Sequence, residues 1–315
     1  MNTACRAIVA VAIATLLSAE AGQIRLSFLN DPASLKETVE FLNHHGCEQQ
    51  TSRFRSVVES YYAEDFPLDR SKFPKATDGI YTFDTMSNVV RALPHPLCET
   101  KHSWGFNCYD TMILLAGSKL RIGLRPDENY GPFLVSEQVT NGDEVLRHAA
   151  TPRDAFSLSY AEWYRNQTES VFPGTSRDPR TCLVAEIFRW HMLPLSTTSA
   201  TVQKEVWTAL RSDWRRTKME FPDNCQVVLF HVATVESHMV GTPHAALLFP
   251  HDAGYTYLEK AGGPGPFVRL DFKDKSDLNL WMSGGTTLSE TQRTSVFQFV
   301  TFNDTDIVSV GLGSK

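Results

Sequence analysis

Residues 225–260 read CQVVLFHVATVESHMVGTPHAALLFPHDAGYTYLEK, and this stretch decides the fold. Two runs rich in Val, Leu, Ala and Phe, 226–235 and 244–249, have the length and composition of strands. Pro250, His251, Asp252, Ala253 and Gly254 supply turn chemistry, and 255–260 is a third run. Residues 267–272 and 295–302 read as further strands, with a short helix expected over 276–282. Strands joined by short turns pair antiparallel, so this half of the chain predicts a meander.

Upstream, the apolar spacing is helical. Ser34 is a candidate cap for a helix that Gly46 ends, and Phe54, Val57, Val58 and Tyr61 mark a second over 51–62. Residues 66–80 read as loop. A third short helix is expected over 82–93, stopped by Pro94, His95 and Pro96. Residues 109–116 are almost wholly apolar, 118–180 are mixed and loop-rich, and 182–190 and 202–210 have amphipathic helical patterns. Helices followed by antiparallel strands make an α+β chain rather than an alternating β-α-β one. The expected organisation is one domain over 22–315, with a helical prelude at 22–100, a helical insertion at about 118–220 and a sheet at 225–305.

Residues 1–21 carry Arg6, an uncharged run from Ala7 to Ala19, and the small-x-small pattern Ala19, Glu20, Ala21. That order is a secretory signal with cleavage after Ala21, and its core is shorter than the roughly 20 apolar residues a membrane span needs. No later stretch qualifies as a membrane anchor, so a secreted or periplasmic protein is expected. The balance of 30 Lys and Arg against 36 Asp and Glu leaves a formal charge of −6. A general nucleic-acid binder needs a basic face, which this composition does not favour.

Export changes how the cysteines read. Cys5 leaves with the signal, and Cys47, Cys98, Cys108, Cys182 and Cys225 remain, an odd number. One thiol is then free or paired with another molecule, and the other four allow several connectivities. The alternative is that all five are reduced and buried.

Cys108 occupies the position where a thiol becomes reactive. Asn107 suits an N-cap and Asp110 follows three residues later, so Cys108 opens a helix whose free N–H groups favour a thiolate and hold an oxyanion. Asp110 opposes this, because a carboxylate one turn away disfavours the thiolate. A nucleophilic thiol needs a base, and His244, at the head of an apolar strand, is the candidate. Glu259 lies on the following strand, where a hairpin brings it toward His244 to orient the imidazole. The competing reading makes Cys108 a structural or disulfide-bonded residue, His244 an ordinary strand-end polar residue and Glu259 a surface carboxylate beside Lys260.

A Cys at a helix start, a His opening a strand and a polar residue on the next strand together resemble the papain-like cysteine peptidase superfamily. In papain-type enzymes the later catalytic residues follow the Cys by about 130–150 residues, a window that contains His244 and closes beside Glu259. The strand His-Ala-Ala-Leu-Leu-Phe at 244–249 and Tyr-Leu-Glu-Lys at 257–260 are similar to the bacterial NlpC-like branch, exported cell-wall amidases and endopeptidases, and to a related uncharacterised secreted bacterial family. The resemblance implies a central helix starting at the nucleophile and packed on an antiparallel sheet, with extra N-terminal and inserted helices. It implies a Cys108–His244–Glu259 triad, oxyanion support from Asn107 and His102, and a peptide or peptidoglycan-like substrate. This chain departs from the branch in placing Asn107 where an Asp commonly precedes the Cys, and a Glu where the third member is His, Asn or Gln.

Two other functions are open on the sequence. One is a non-catalytic secreted binding protein on the same fold. The other is a metal-dependent hydrolase using His231, His238, His244 and His251, although no His-x-x-x-His or Cys-x-x-Cys pair is present. No cofactor is expected, and the Gly262-Gly263-Pro264-Gly265-Pro266 loop lacks a phosphate-loop pattern.

Overall fold

The computed structural model describes residues 23–63, 69–93, 108–123, 190–192, 195, 199–235, 239–261, 265–283 and 296–310. The signal segment, His102, Asn107, Cys98, Cys182 and His238 lie outside the described residues.

The two apolar runs form the middle of a mixed α and β architecture. Strands β6 (Gln226–Thr234) and β7 (Met239–His251) pair antiparallel, and β8 (Gly254–Lys260) and β9 (Phe267–Phe272) continue the meander. Beyond β9 lie β1 (Ile24–Ser27) and β2 (Ile80–Phe83), and on the other flank β10 (Val296–Phe302) and β11 (Asp306–Ser309). The spatial order is β11-β10-β6-β7-β8-β9-β1-β2, and β4 (Trp190–Met192) also pairs with β7. A separate two-stranded pair joins β3 (Arg121–Ile122) to β5 (Met219–Glu220).

Both faces of this sheet are buried, which explains why its central strands are apolar at nearly every position. Ala245, Leu247 and Phe249 face one core with Val227, Leu229, Leu258 and Phe267. Over that face pack α1 (Pro32–His44), α2 (Glu48–Tyr62), α4 (Cys108–Ala116) and α5 (Ser199–Arg216). Ala246 and Leu248 face the second core with Val228, Phe230, Tyr257, Val268 and Leu270. There α3 (Met86–Ala92) and α6 (Ser276–Ser283) contribute Met86, Val89, Leu278 and Trp281. Burying each Leu, Val or Phe stabilises by roughly 1.5–3 kcal/mol, so a strand used on both faces contributes about twice what a half-exposed one does.

Several expectations need correction. The prelude is not only helical, because β1 and β2 lie within it and extend the sheet. Asp31, not Ser34, caps α1: its carboxylate accepts from the Ala33 N–H at 2.8 Å, and Pro32 fills a first-turn position that needs no donor. Trp190 is in a strand rather than a helix, α5 is longer than the expected 202–210, and β11 carries the sheet beyond 305. Strand β7 begins five residues before His244, so the His does not open the strand. The β7–β8 turn closes at His251 and Gly254, where Gly254 has φ +134° and an added Cβ would sit 2.3 Å from the Phe272 carbonyl oxygen.

Candidate active site

The site forms where β7 changes neighbours. One edge of β7 pairs with β6 along most of its length. The other edge pairs with β4 from Met239 to Gly241 and with β8 from Leu247 to His251. Between them Thr242–Ala246 have no cross-strand partner on that edge among the described residues. Pro243, which lacks an N–H, fits an unpaired position, and its side is exposed. The β6 register shifts here as well. Phe230 pairs with His244 but Val232 pairs with Gly241, so β7 carries one extra residue, with Thr242 and Pro243 opposite His231. A bulge of this kind bends the strand and re-aims the side chains that follow it.

His231 locks the bulge. It is fully buried, with Nδ1 2.8 Å from the Thr242 hydroxyl and Nε2 2.9 Å from the Thr301 hydroxyl on β10.

Helix α4 arrives at the same place. Eight of its nine residues are buried, as expected for a helix apolar all round. The Tyr109 hydroxyl donates to the Thr242 carbonyl oxygen, which fixes the first turn of α4 against the unpaired edge of β7. Cys108 opens the helix and is 4% exposed. The helix lies on the face carrying Ala245 and Leu247, whereas His244, Tyr257 and Glu259 belong to the opposite alternation. The interruption in the ladder is where the two sets meet: the Cys108 sulfur comes close enough to the His244 ring to strengthen its hold on a proton.

The ring's other partner is Glu259. His244 Nε2 lies 2.6 Å from Glu259 Oε2, with the two side chains 20% and 5% exposed. That length is short for an N–H···O bond and belongs to the charge-assisted class. Since Nε2 is committed to the carboxylate, Nδ1 is the nitrogen left for the thiol. Burial alone pushes the imidazole toward its neutral form, but the Glu259 charge and the Cys108 sulfur outweigh it, and the ring holds its proton well above the usual histidine range.

Glu259 is therefore not a surface carboxylate. Its neighbour Lys260 is also buried, with its ammonium 4.3 Å from the Tyr61 ring centroid and 5.5 Å from that of Phe267, and it donates to the Gly265 carbonyl oxygen. Together with the Ala261 N–H bond to Pro266 at 2.8 Å, this anchors the end of β8 and holds Glu259 in place.

The three described strand histidines do not share a site. His231 bridges two threonines, His244 joins the thiol and the carboxylate, and His251 lies 3.3 Å from the Thr256 hydroxyl and packs against His45 and Phe41. Among the described residues, no three His, Cys, Asp or Glu side chains group as a metal site. No helix among them is long and apolar enough to cross a membrane.

Sequence reasoning missed the groups behind Glu259. Tyr257 donates its hydroxyl to Glu259 Oε2, and the side chain of Trp281 from α6 approaches the same tyrosine oxygen. Strand alternation carried the signal for Tyr257, which lies two residues before Glu259 and hence on its face. Nothing in the sequence pattern ties Trp281 to this site. Comparison of the chain with protein-family models, with curated proteins and with solved structures finds no match.

Proposed function

We propose that this protein is an exported thiol hydrolase of papain-like type that cleaves an amide bond through Cys108, His244 and Glu259. The observation that carries the reading is a single imidazole with a helix-terminal thiol beside it and, at 2.6 Å, a buried carboxylate. The Cys108 sulfur attacks the carbonyl carbon, and the C=O electron pair moves to oxygen. As that oxyanion collapses, the C–N bond breaks and the imidazolium gives its proton to the departing nitrogen, leaving a thioester on Cys108. His244 then takes a proton from water, the hydroxide adds to the thioester, and the C–S bond breaks to release the acid and the thiolate. Glu259 keeps the ring oriented and stabilises its charged form throughout.

A cell-wall peptide is the proposed substrate, on the resemblance of 244–249 and 257–260 to the NlpC-like branch and on the secretory pattern of residues 1–21. The test is incubation of soluble peptidoglycan peptides with the mature protein, with products read by mass spectrometry. Cleavage by the wild type that is lost in Cys108→Ala and in His244→Ala is the expected result. Cleavage at an unchanged rate in Cys108→Ala overturns the reading, as does failure of iodoacetamide to modify Cys108 in the folded protein.

A further inference from the structure

Two side chains outside the triad meet its carboxylate in an order that has a direction. Tyr257 is fully buried, and its hydroxyl bonds the same Glu259 oxygen that receives His244 Nε2. The Met282 sulfur lies 3.6 Å from that hydroxyl, but a thioether is a weak acceptor and the carboxylate oxygen is closer and charged. The Trp281 side chain, 8% exposed, also approaches the tyrosine oxygen. An indole N–H only donates. The tyrosine proton is given to Glu259, and an indole beside that oxygen offers no competing acceptor. The carboxylate then accepts from both neighbours, which places a proton on His244 Nε2 and leaves Nδ1 as the nitrogen that exchanges a proton with the thiol.

We infer that Trp281 and Tyr257 are positioning residues that set the direction of the proton in the Cys108–His244–Glu259 site, acting through Glu259. The catalytic consequence rests on the thiol-hydrolase reading, but the orientation itself does not. The charged and titratable groups that face this chain are Cys108 from α4, His244 from β7, and Tyr257 and Glu259 from β8. Helix α6 presents the neutral Trp281 and Met282.

The test reads the His244 ring and needs no substrate. Full-length mature protein is labelled with ¹⁵N-histidine in a Cys108→Ala background, which takes the thiolate out of the titration. The neutral His244 ring is expected as the Nε2–H tautomer. Tyr257→Phe strips a donor from Glu259, makes the carboxylate a stronger base toward the ring, and moves the His244 midpoint up by about half a unit or more. Trp281→Phe moves it in the same direction by less. A role confined to packing would leave the midpoint where it was. An Nδ1–H tautomer in the parent overturns the inference, and so does a midpoint unmoved in both variants. Should Tyr257→Phe fail to fold, the parent tautomer and the Trp281→Phe titration decide. A protein that keeps the Nε2–H tautomer and both shifts but cleaves no peptide supports the inference and removes only the hydrolase reading.

Discussion

Replacing Glu259 by Gln keeps the shape of the site and takes away its charge. The Tyr257 hydroxyl selects the amide oxygen for the Oε2 position, so the ring still has an acceptor for Nε2–H and its tautomer is retained. What is lost is the attraction between a carboxylate and an imidazolium whose nearest atoms are 2.6 Å apart, with the carboxylate side chain 5% exposed. Hydrogen bonds to charged groups contribute about 1.5–3 kcal/mol net, which at 1.36 kcal/mol per unit lowers the His244 pKa by roughly 1–2 units. A ring that binds its proton less tightly draws it from the thiol less readily, and alkylation of Cys108 at a fixed pH slows by about 10- to 100-fold. The assay is the pH–rate profile of Cys108 modification by iodoacetamide, followed by peptide mass mapping, beside an NMR titration of His244. A His244 midpoint that stays in place or rises in Glu259→Gln would refute the electrostatic role given to this carboxylate.

The other buried thiols are expected to be inert. Burial, reinforced by the adjacent Cys47, pushes the Cys225 thiol up to about 12, and burial also raises Cys47. A short iodoacetamide pulse on the folded protein at pH 7 should therefore mark Cys108 and spare both, and equal labelling of Cys225 would contradict this. Because His244 holds its proton above its unfolded value of about 6.5, its contribution to stability is complete below that pH and fades as pH rises through the folded value. The difference in urea midpoint between wild type and His244→Gln should shrink from pH 6 toward 9, and a difference that grows would reverse the sign of the argument. His231→Ala leaves two buried threonine hydroxyls without their partner and opens a cavity at the bulge, at a cost of about 2–4 kcal/mol in urea denaturation. A loss under 1 kcal/mol would show that the bulge holds without its histidine.

The parts of this site readable from sequence were those that local chemistry announces. Cys108 stood at the start of an apolar helix, and one turn separated the strand of His244 from that of Glu259, so a hairpin had to bring the last two near each other. The parts not readable depend on partners far along the chain. Strands Ile24–Ser27 and Ile80–Phe83 have four residues each, too few to show a period, and β1 is a strand only because β9 and β2 flank it. The first five residues of β7 include Gly241 and Pro243, which read locally as a turn. Their place in a strand follows from β4 and β6 on either side and from an edge where no described strand calls on Pro243 for an N–H. Trp281 reaches Tyr257 by the docking of α6 onto the second core, which no spacing encodes.

Backbone groups along a strand point alternately to its two sides. Between Thr242 and Ala246 those directed away from β6 find no strand among the described residues, and the Tyr109 hydroxyl takes one of them. Folded proteins commonly leave unfinished edges at the rim of a sheet, where charge or twist discourages a second chain from adding to them. Here the unfinished edge is at the centre, and the start of α4 is its cover. A molecule that frays α4, or completes its sheet before that helix docks, exposes a short apolar template in its middle, so self-association should track the undocking of this helix more closely than the loosening of the outer strands.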